Sequence, residues 1–314
     1  MATLITIVVP VFAVMGIGYL FARLDLFREG TAKGLSDFTF TLAVPALLFR
    51  TVERTAVSLD QSLQLWGCFF GALLITWALA TLATRLVLRR PATDAAAISM
   101  TACFGNVVML GIPLSSSAYG ASAAVPLTIL LAAHTPVLWV LGSVQMALAE
   151  TTRTQSLAMT LRGVAIDLAR NPIILAVVMG SLWRLTGLGI HPVVDRVLAL
   201  LGDASTTTAL VAVGIGLVGV KIQGQAPTLA VLTVLKLLAM PAIAWVLATV
   251  VFRLEPVPAG VVVLLAAMPA GANAYLFASR HERVVNSTSG AIAMGTIAAL
   301  LTVSLVVSMM APGG

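Results

Sequence analysis

A helix needs about 20 apolar residues to cross the hydrocarbon core of a bilayer. The chain offers ten stretches that approach this length, at about 2–22, 35–52, 62–88, 94–119, 123–149, 171–189, 204–220, 227–252, 257–280 and 284–311. Composition agrees: of 314 residues 60% are hydrophobic and 10% charged, against roughly 45–50% and about 25% in soluble domains. A water-soluble globular fold and a disordered chain are both excluded. No Lys or Arg precedes the first stretch and no clear small-residue cleavage site follows it, so it reads as a retained span. Cys68 and Cys103 lie inside apolar runs, which speaks against a disulfide scaffold or a cysteine metal site. The net charge of +6 is scattered through the gaps, the pattern of membrane topology and not of a nucleic-acid surface. The expected partner is the lipid bilayer.

Basic residues orient the spans. Gaps after odd-numbered stretches hold twelve Lys or Arg and gaps after even-numbered ones hold five, which puts the odd gaps in the cytoplasm and both chain ends outside. The connection at about 150–170 is then cytoplasmic, and it fits a linker between a first five-span half, 1–149, and a second, 171–314. The halves carry traces of a repeat. Trp77-Ala-Leu-Ala-Thr-Leu-Ala-Thr-Arg-Leu86 and Trp245-Val-Leu-Ala-Thr-Val-Val-Phe-Arg-Leu254 agree at six of ten positions at an offset of 168. Val14-Met-Gly matches Val178-Met-Gly at an offset of 164. With five spans each, the second half enters the membrane inverted, a construction of secondary transporters whose substrate binds at the repeat interface.

The fourth and ninth stretches are broken. The fourth reads Cys103-Phe-Gly-Asn-Val-Val-Met-Leu-Gly-Ile-Pro113 and the ninth Ala266-Ala-Met-Pro-Ala-Gly-Ala-Asn-Ala-Tyr275, with Asn106 and Asn273 at an offset of 167. Proline removes a backbone donor and glycine eases unwinding. Half-helix N-termini at such breaks present N–H groups and a positive dipole end, which suits an anion. The candidate binding set is Asn106 and Asn273 with the backbone around Gly105, Gly111, Pro113, Pro269 and Gly271.

With these pieces in order along nearly the whole chain, the sequence resembles the auxin efflux carrier family, within the wider bile acid, arsenite and riboflavin transporter superfamily. The resemblance rests on Leu42-Ala-Val-Pro-Ala-Leu-Leu-Phe49, Gly105-Asn-Val-Val-Met-Leu-Gly-Ile-Pro113, Arg170-Asn-Pro-Ile-Ile174, Gly214-Ile-Gly-Leu217, Lys236-Leu-Leu-Ala-Met-Pro241 and Met268-Pro-Ala-Gly-Ala-Asn273. It implies an all-α polytopic membrane protein of ten transmembrane helices in two inverted five-helix repeats, with helices four and nine crossing at their breaks. It also implies a scaffold from the first two helices of each half, a mobile transport domain from the last three, and a homodimer. Family members move organic anions: auxin in plants, malonate- or malate-like acids among bacterial relatives. The large cytoplasmic loop of many plant members is absent.

Ionisable groups inside spans are candidates for function. Lys236, about midway along the eighth stretch, could offset a substrate carboxylate or bind carbonyls freed near Pro241. His134 could titrate during transport, or be a neutral histidine bonded to a neighbouring helix beside Pro136. Asp37 and Asp203 read as N-caps of the second and seventh spans. No carboxylate then falls deep in a span, so a proton relay is unsupported. Potential alone, at about 2.3 kcal/mol per charge per 100 mV, would drive anion export. Thr206–Thr208, Gly214 and Gly216 read as packing.

The chain is not expected to be an enzyme. His134, His191 and His281 are its three histidines, neither H-E-x-x-H nor G-x-S-x-G occurs, and Ser287-Thr-Ser-Gly290 near His281 lacks a third partner. No cofactor and no metal are implied. The reading is an inner-membrane carrier for a small organic anion, a carboxylate, working by elevator-type alternating access; a carrier for cations or neutral solutes and a channel are the alternatives.

Overall fold

The computed structural model describes residues 2–54, 59–150, 169–218 and 225–310, together with 159, 162–163 and 165–166. The linker expected at 150–170 falls mostly outside them. Among the described residues the chain is helical throughout, with no strand. Six segments are long and apolar enough to cross a membrane: Thr31–Arg54, Asp60–Leu86, Val107–Ala149, Pro192–Gly216, Ala226–Val251 and Val285–Met310. Ile7–Arg23, Pro172–Leu185 and Pro256–Ala266 are shorter apolar helices. Large apolar side chains cover the outside, Leu185 at 83% and Leu301 at 76% exposure among them, as lipid contact requires. The protein is a multi-pass membrane protein.

Proline and glycine shape the segments. Wide π turns occupy Thr39–Ala43, Val107–Gly111 and Leu235–Ala239, each ending two residues before a proline, at Pro45, Pro113 and Pro241. The missing proline N–H leaves one carbonyl of the preceding turn without its partner, and the turn widens. The 43 residues of Val107–Ala149 would extend about 65 Å at 1.5 Å per residue, twice the hydrocarbon core. Gly120, at φ 57, and the tight turn Gly120–Ala123 divide it, so two expected stretches meet there.

Two packing groups result. In the first, Ala2–Arg23, Thr31–Arg54, Pro172–Leu185 and Pro192–Gly216 touch through glycine. A Cβ at Gly18 would stand 2.6 Å from the Val211 carbonyl oxygen, one at Gly180 would stand 2.9 Å from that of Phe49, and one at Gly214 would overlap that of Met15. Backbones approach this closely in membrane bundles where no side chain intervenes. In the second group the other helices enclose Phe69, Ile98, Met100 and Phe277. A polar chain runs through it: Trp77 Nε1 donates to Gln145 Oε1 at 2.8 Å, Gln145 Nε2 donates to Thr81 Oγ1 at 3.0 Å, and Thr81 meets Ser99 at 3.0 Å.

Several expectations need correction. The seventh span, expected at 204–220, is the helix Pro192–Gly216, entered through His191, whose Nδ1 accepts from Val193 N at 3.3 Å. Charge in its first turns is tolerated because Asp195 pairs with Arg50 at 2.7 Å and with Arg54. Asp203 is therefore not an N-cap but an exposed residue midway along that helix, so a carboxylate does lie deep in a span. Asp37 likewise sits inside Thr31–Phe38, whose N-cap is Gly30. The Trp77–Trp245 match is out of step with the backbone. Leu88 N bonds Ala83 O and Arg90 N bonds Thr84 O, while Phe252 N bonds Leu247 O and Leu254 N bonds Ala248 O. Arg89 at φ 53 and Arg253 at φ 49 close these two helix ends identically. The sequence match had set Arg253 against Arg85, one helical turn away.

Candidate functional site

The two broken stretches meet back to back. The helix Ala92–Cys103 stops and the chain is extended through Phe104 before helix resumes at Val107. The helix Pro256–Ala266 stops and a new one, Ala272–Arg280, starts after Gly271. Between them Asn106 N donates to Pro269 O at 2.7 Å and Gly271 N donates to Phe104 O at 2.9 Å. Gly105 and Ala270 thereby form an antiparallel bridge. Glycine is required where the strands press together: a Cβ at Gly271 would stand 3.0 Å from Gly105 O and 3.2 Å from Asn106 N.

Each helix that leaves the crossover starts there. Asn106 and Gly271 are their N-caps, and neither start has a side-chain capping bond, so first-turn N–H groups remain available to a ligand. Both starts line one cavity of about 630 Å³ that includes Gly105, Asn106, Gly271 and Asn273. Thr135, Ser289 and Thr296 share that wall, and Ser36, Phe40, Asn171 and Gly216 stand in the first packing group. No charged side chain appears in this described lining. With two positive dipole ends and neutral amides and hydroxyls, the arrangement is suited to a small anion.

The residues singled out in the sequence divide into three sets. Gly105, Asn106, Gly271 and Asn273 come together in the cavity wall. Gly111, Pro113 and Pro269 are buried outside its lining. A Cβ at Gly111 would press on Leu265 at 2.6 Å, and Pro269 supplies the crossover carbonyl. Lys236 and His134 form the third set, buried beside the crossover. Lys236 Nζ donates to Ala266 O at 3.1 Å and to Met240 Sδ at 3.2 Å. The His134 ring lies 4.6 Å from Phe104 and 5.9 Å from Phe69 between centroids. Neither of its nitrogens has a hydrogen-bond partner among the described residues, so the expected bond to a neighbouring helix is not formed.

Asn106 and Asn273 are not equivalent: Asn106 N bonds Pro269 O as Gly271 N bonds Phe104 O, so Gly271 is the counterpart of Asn106, and Asn273 lies in the first turn beyond. Sequence reasoning missed Ser289 and Thr296, although Ser289, Ile292, Ala293 and Thr296 follow the helical spacing of one face. It also missed Asn171, whose Oδ1 caps its helix by accepting from Ile173 N at 2.9 Å. An Asn before a proline at a helix start is a visible signal. Among the described residues no group of His, Cys, Asp and Glu could hold a metal ion.

The chain is 25% identical over 305 residues to a protein of Rhizobium meliloti (strain 1021) named "Putative malonate transporter", spanning 97% of this chain and 95% of that one. It is 24% identical over 312 residues to "Uncharacterized transporter YfdV" of Escherichia coli (strain K12), spanning 94% of each. These names indicate a transporter and not an enzyme. The profile of the family described as membrane transport protein matches residues 3–307, and with the match running through both broken stretches, the chain belongs to that auxin efflux carrier-like transporter family.

Proposed function

We propose that the protein is a secondary carrier that moves a small organic anion, a carboxylate, across the inner (plasma) membrane by elevator-type alternating access. It is built from ten spans in two inverted five-helix repeats, 1–149 and 171–314, with a cytoplasmic linker at 150–170 and both chain ends outside. The matching caps at Arg89 and Arg253, and the reciprocal crossover bonds, support the inverted repeat. The relative named for malonate supports a carboxylate. In this reading the first packing group is the scaffold and the second is the body that moves against it.

One observation carries the anion assignment: two uncapped helix starts, held together by main-chain bonds, line a cavity with no carboxylate among its described residues. An anion there receives N–H groups from both starts and amide donors from Asn106 and Asn273. The chemistry is non-covalent, so selectivity comes from the number and direction of those donors. Ser36, Asn171 and Gly216 lie near the helix ends that the basic-residue count assigns to the cytoplasm, so the cavity opens inward.

Thermal unfolding of the detergent-purified protein tests the reading, because a ligand that binds the folded state raises the midpoint by mass action. Malonate, malate and acetate are set against neutral and cationic solutes of similar size. Stabilisation by carboxylates is expected, together with affinity at least about tenfold weaker in Asn106→Ala, Asn273→Ala, for two lost charge-assisted bonds. Stabilisation by cations or neutral solutes alone would overturn the anion assignment.

A further inference from the structure

Lys236 is the most deeply buried charged side chain among the described residues, 3% exposed. No carboxylate stands within ion-pair distance of it among those residues. A carbonyl and a thioether are its hydrogen-bond partners, which is little compensation for an ammonium removed from water. Its surroundings supply negative potential on one side. Ala266 ends the helix Pro256–Ala266, and the carbonyl end of a helix attracts a cation. On the other side, Nζ lies 3.3 Å from where a Cβ at Gly105 would stand, and Gly105 itself lines the cavity, so the ammonium stands directly behind the cavity wall.

Resting on the anion reading above, we propose that Lys236 supplies the positive charge of the anion site from behind the crossover, as a positioning residue in place of an exchangeable cation. In many carriers half-helix carbonyl ends bind a coupling ion while half-helix N-termini bind the substrate. Here the carbonyl end of Pro256–Ala266 holds a tethered ammonium, and the adjoining void, about 10 Å³ beside Thr101 and Thr233, has room for no more than about one water. The ammonium and a bound anion stabilise each other across one glycine. Anion binding therefore needs no metal cation from solution.

The test uses the full chain in detergent, with malonate as the probe, in sodium, potassium and choline chloride. Wild-type affinity is expected to be the same in all three salts. Lys236→Met, of similar length and no charge, is expected to bind malonate roughly 10- to 100-fold more weakly. Its unfolding midpoint without malonate should be unchanged or higher, because an apolar replacement of a buried charge is often stabilising. Lys236→Arg, which keeps the charge, should bind within about tenfold of wild type. A lysine that merely braces Ala266 gives the opposite pattern, a lower midpoint with intact affinity, and overturns the inference while the anion reading stands. Sodium-dependent binding by the wild type overturns it as well, even if Lys236→Met does not fold. A wild type that binds no carboxylate removes the anion reading and this inference together.

Discussion

The two packing groups solve the same problem, holding helices together in lipid, by different means. The first, around Gly18, Gly180, Gly202 and Gly214, presses backbone on backbone, and its polar links are few: Thr39 with Thr208 at 2.9 Å and Asp195 with two arginines. The second, around the crossover, carries the Trp77–Gln145–Thr81–Ser99 chain, the Thr101–Thr288 bond at 3.0 Å and the Lys236–Ala266 bond. Lipid tails are as apolar as leucine, so contact area alone does not favour helix association; close fit and interhelical bonds do. The first group relies on fit and tolerates no added volume. The second relies more on directed interhelical bonds.

This contrast breaks most visibly at Gly214. Gly214→Leu drives a side chain into the Met15 backbone, where no rotamer gives relief, and the expected cost exceeds about 4 kcal/mol. Loss of the monodisperse protein on size exclusion is the readout; a well-folded variant would show that the first group is not held by close approach. Gly271→Val comes next. Its branched side chain meets Gly105 O and the Asn106 backbone and should spread the crossover bonds. Carboxylate affinity should fall by more than about 100-fold, or roughly 2.7 kcal/mol, while the chain remains helical by circular dichroism; unaltered affinity would separate the site from the crossover. The smallest effects sharpen the comparison. Gln145→Leu strands the Trp77 N–H in the second group, while Thr81 keeps its bond to Ser99, and should cost about 1–3 kcal/mol. Thr39→Val in the first group keeps the volume, and Thr208 keeps its bond to Ala204 O at 2.8 Å, so about 0.6 kcal/mol is expected. Equal losses in a denaturant series would erase the distinction between the groups.

The breaks were legible in the sequence because proline and glycine act locally, through a missing N–H and a missing Cβ. Register was not. Asn106 and Asn273 look like counterparts, yet in the crossover bonds Gly271 takes the role that Asn106 has, because the pairing of two extended segments is fixed by tertiary contact. The same holds for Trp77, buried against Gln145, and Trp245, 39% exposed. Asp203 misled for another reason: an apolar window starts where charges stop, whereas the helix starts at Pro192 because His191 caps it and Arg50 neutralises Asp195. Ser289 and Thr296 share a helix face in the sequence, but that this face meets Thr135 in one cavity is fixed only once the helices pack.

The pair of main-chain bonds at Gly105 and Ala270 has a consequence for how the protein would discriminate between solutes. The distance between the two helix starts is set by the clasp itself, not by side chains whose conformers change or by whichever aqueous face is in contact. Under alternating access the clasp travels as one piece. The order of preference among solutes measured from inside should then equal the order measured from outside, even where the affinities differ: a single ruler, read from both sides of the membrane.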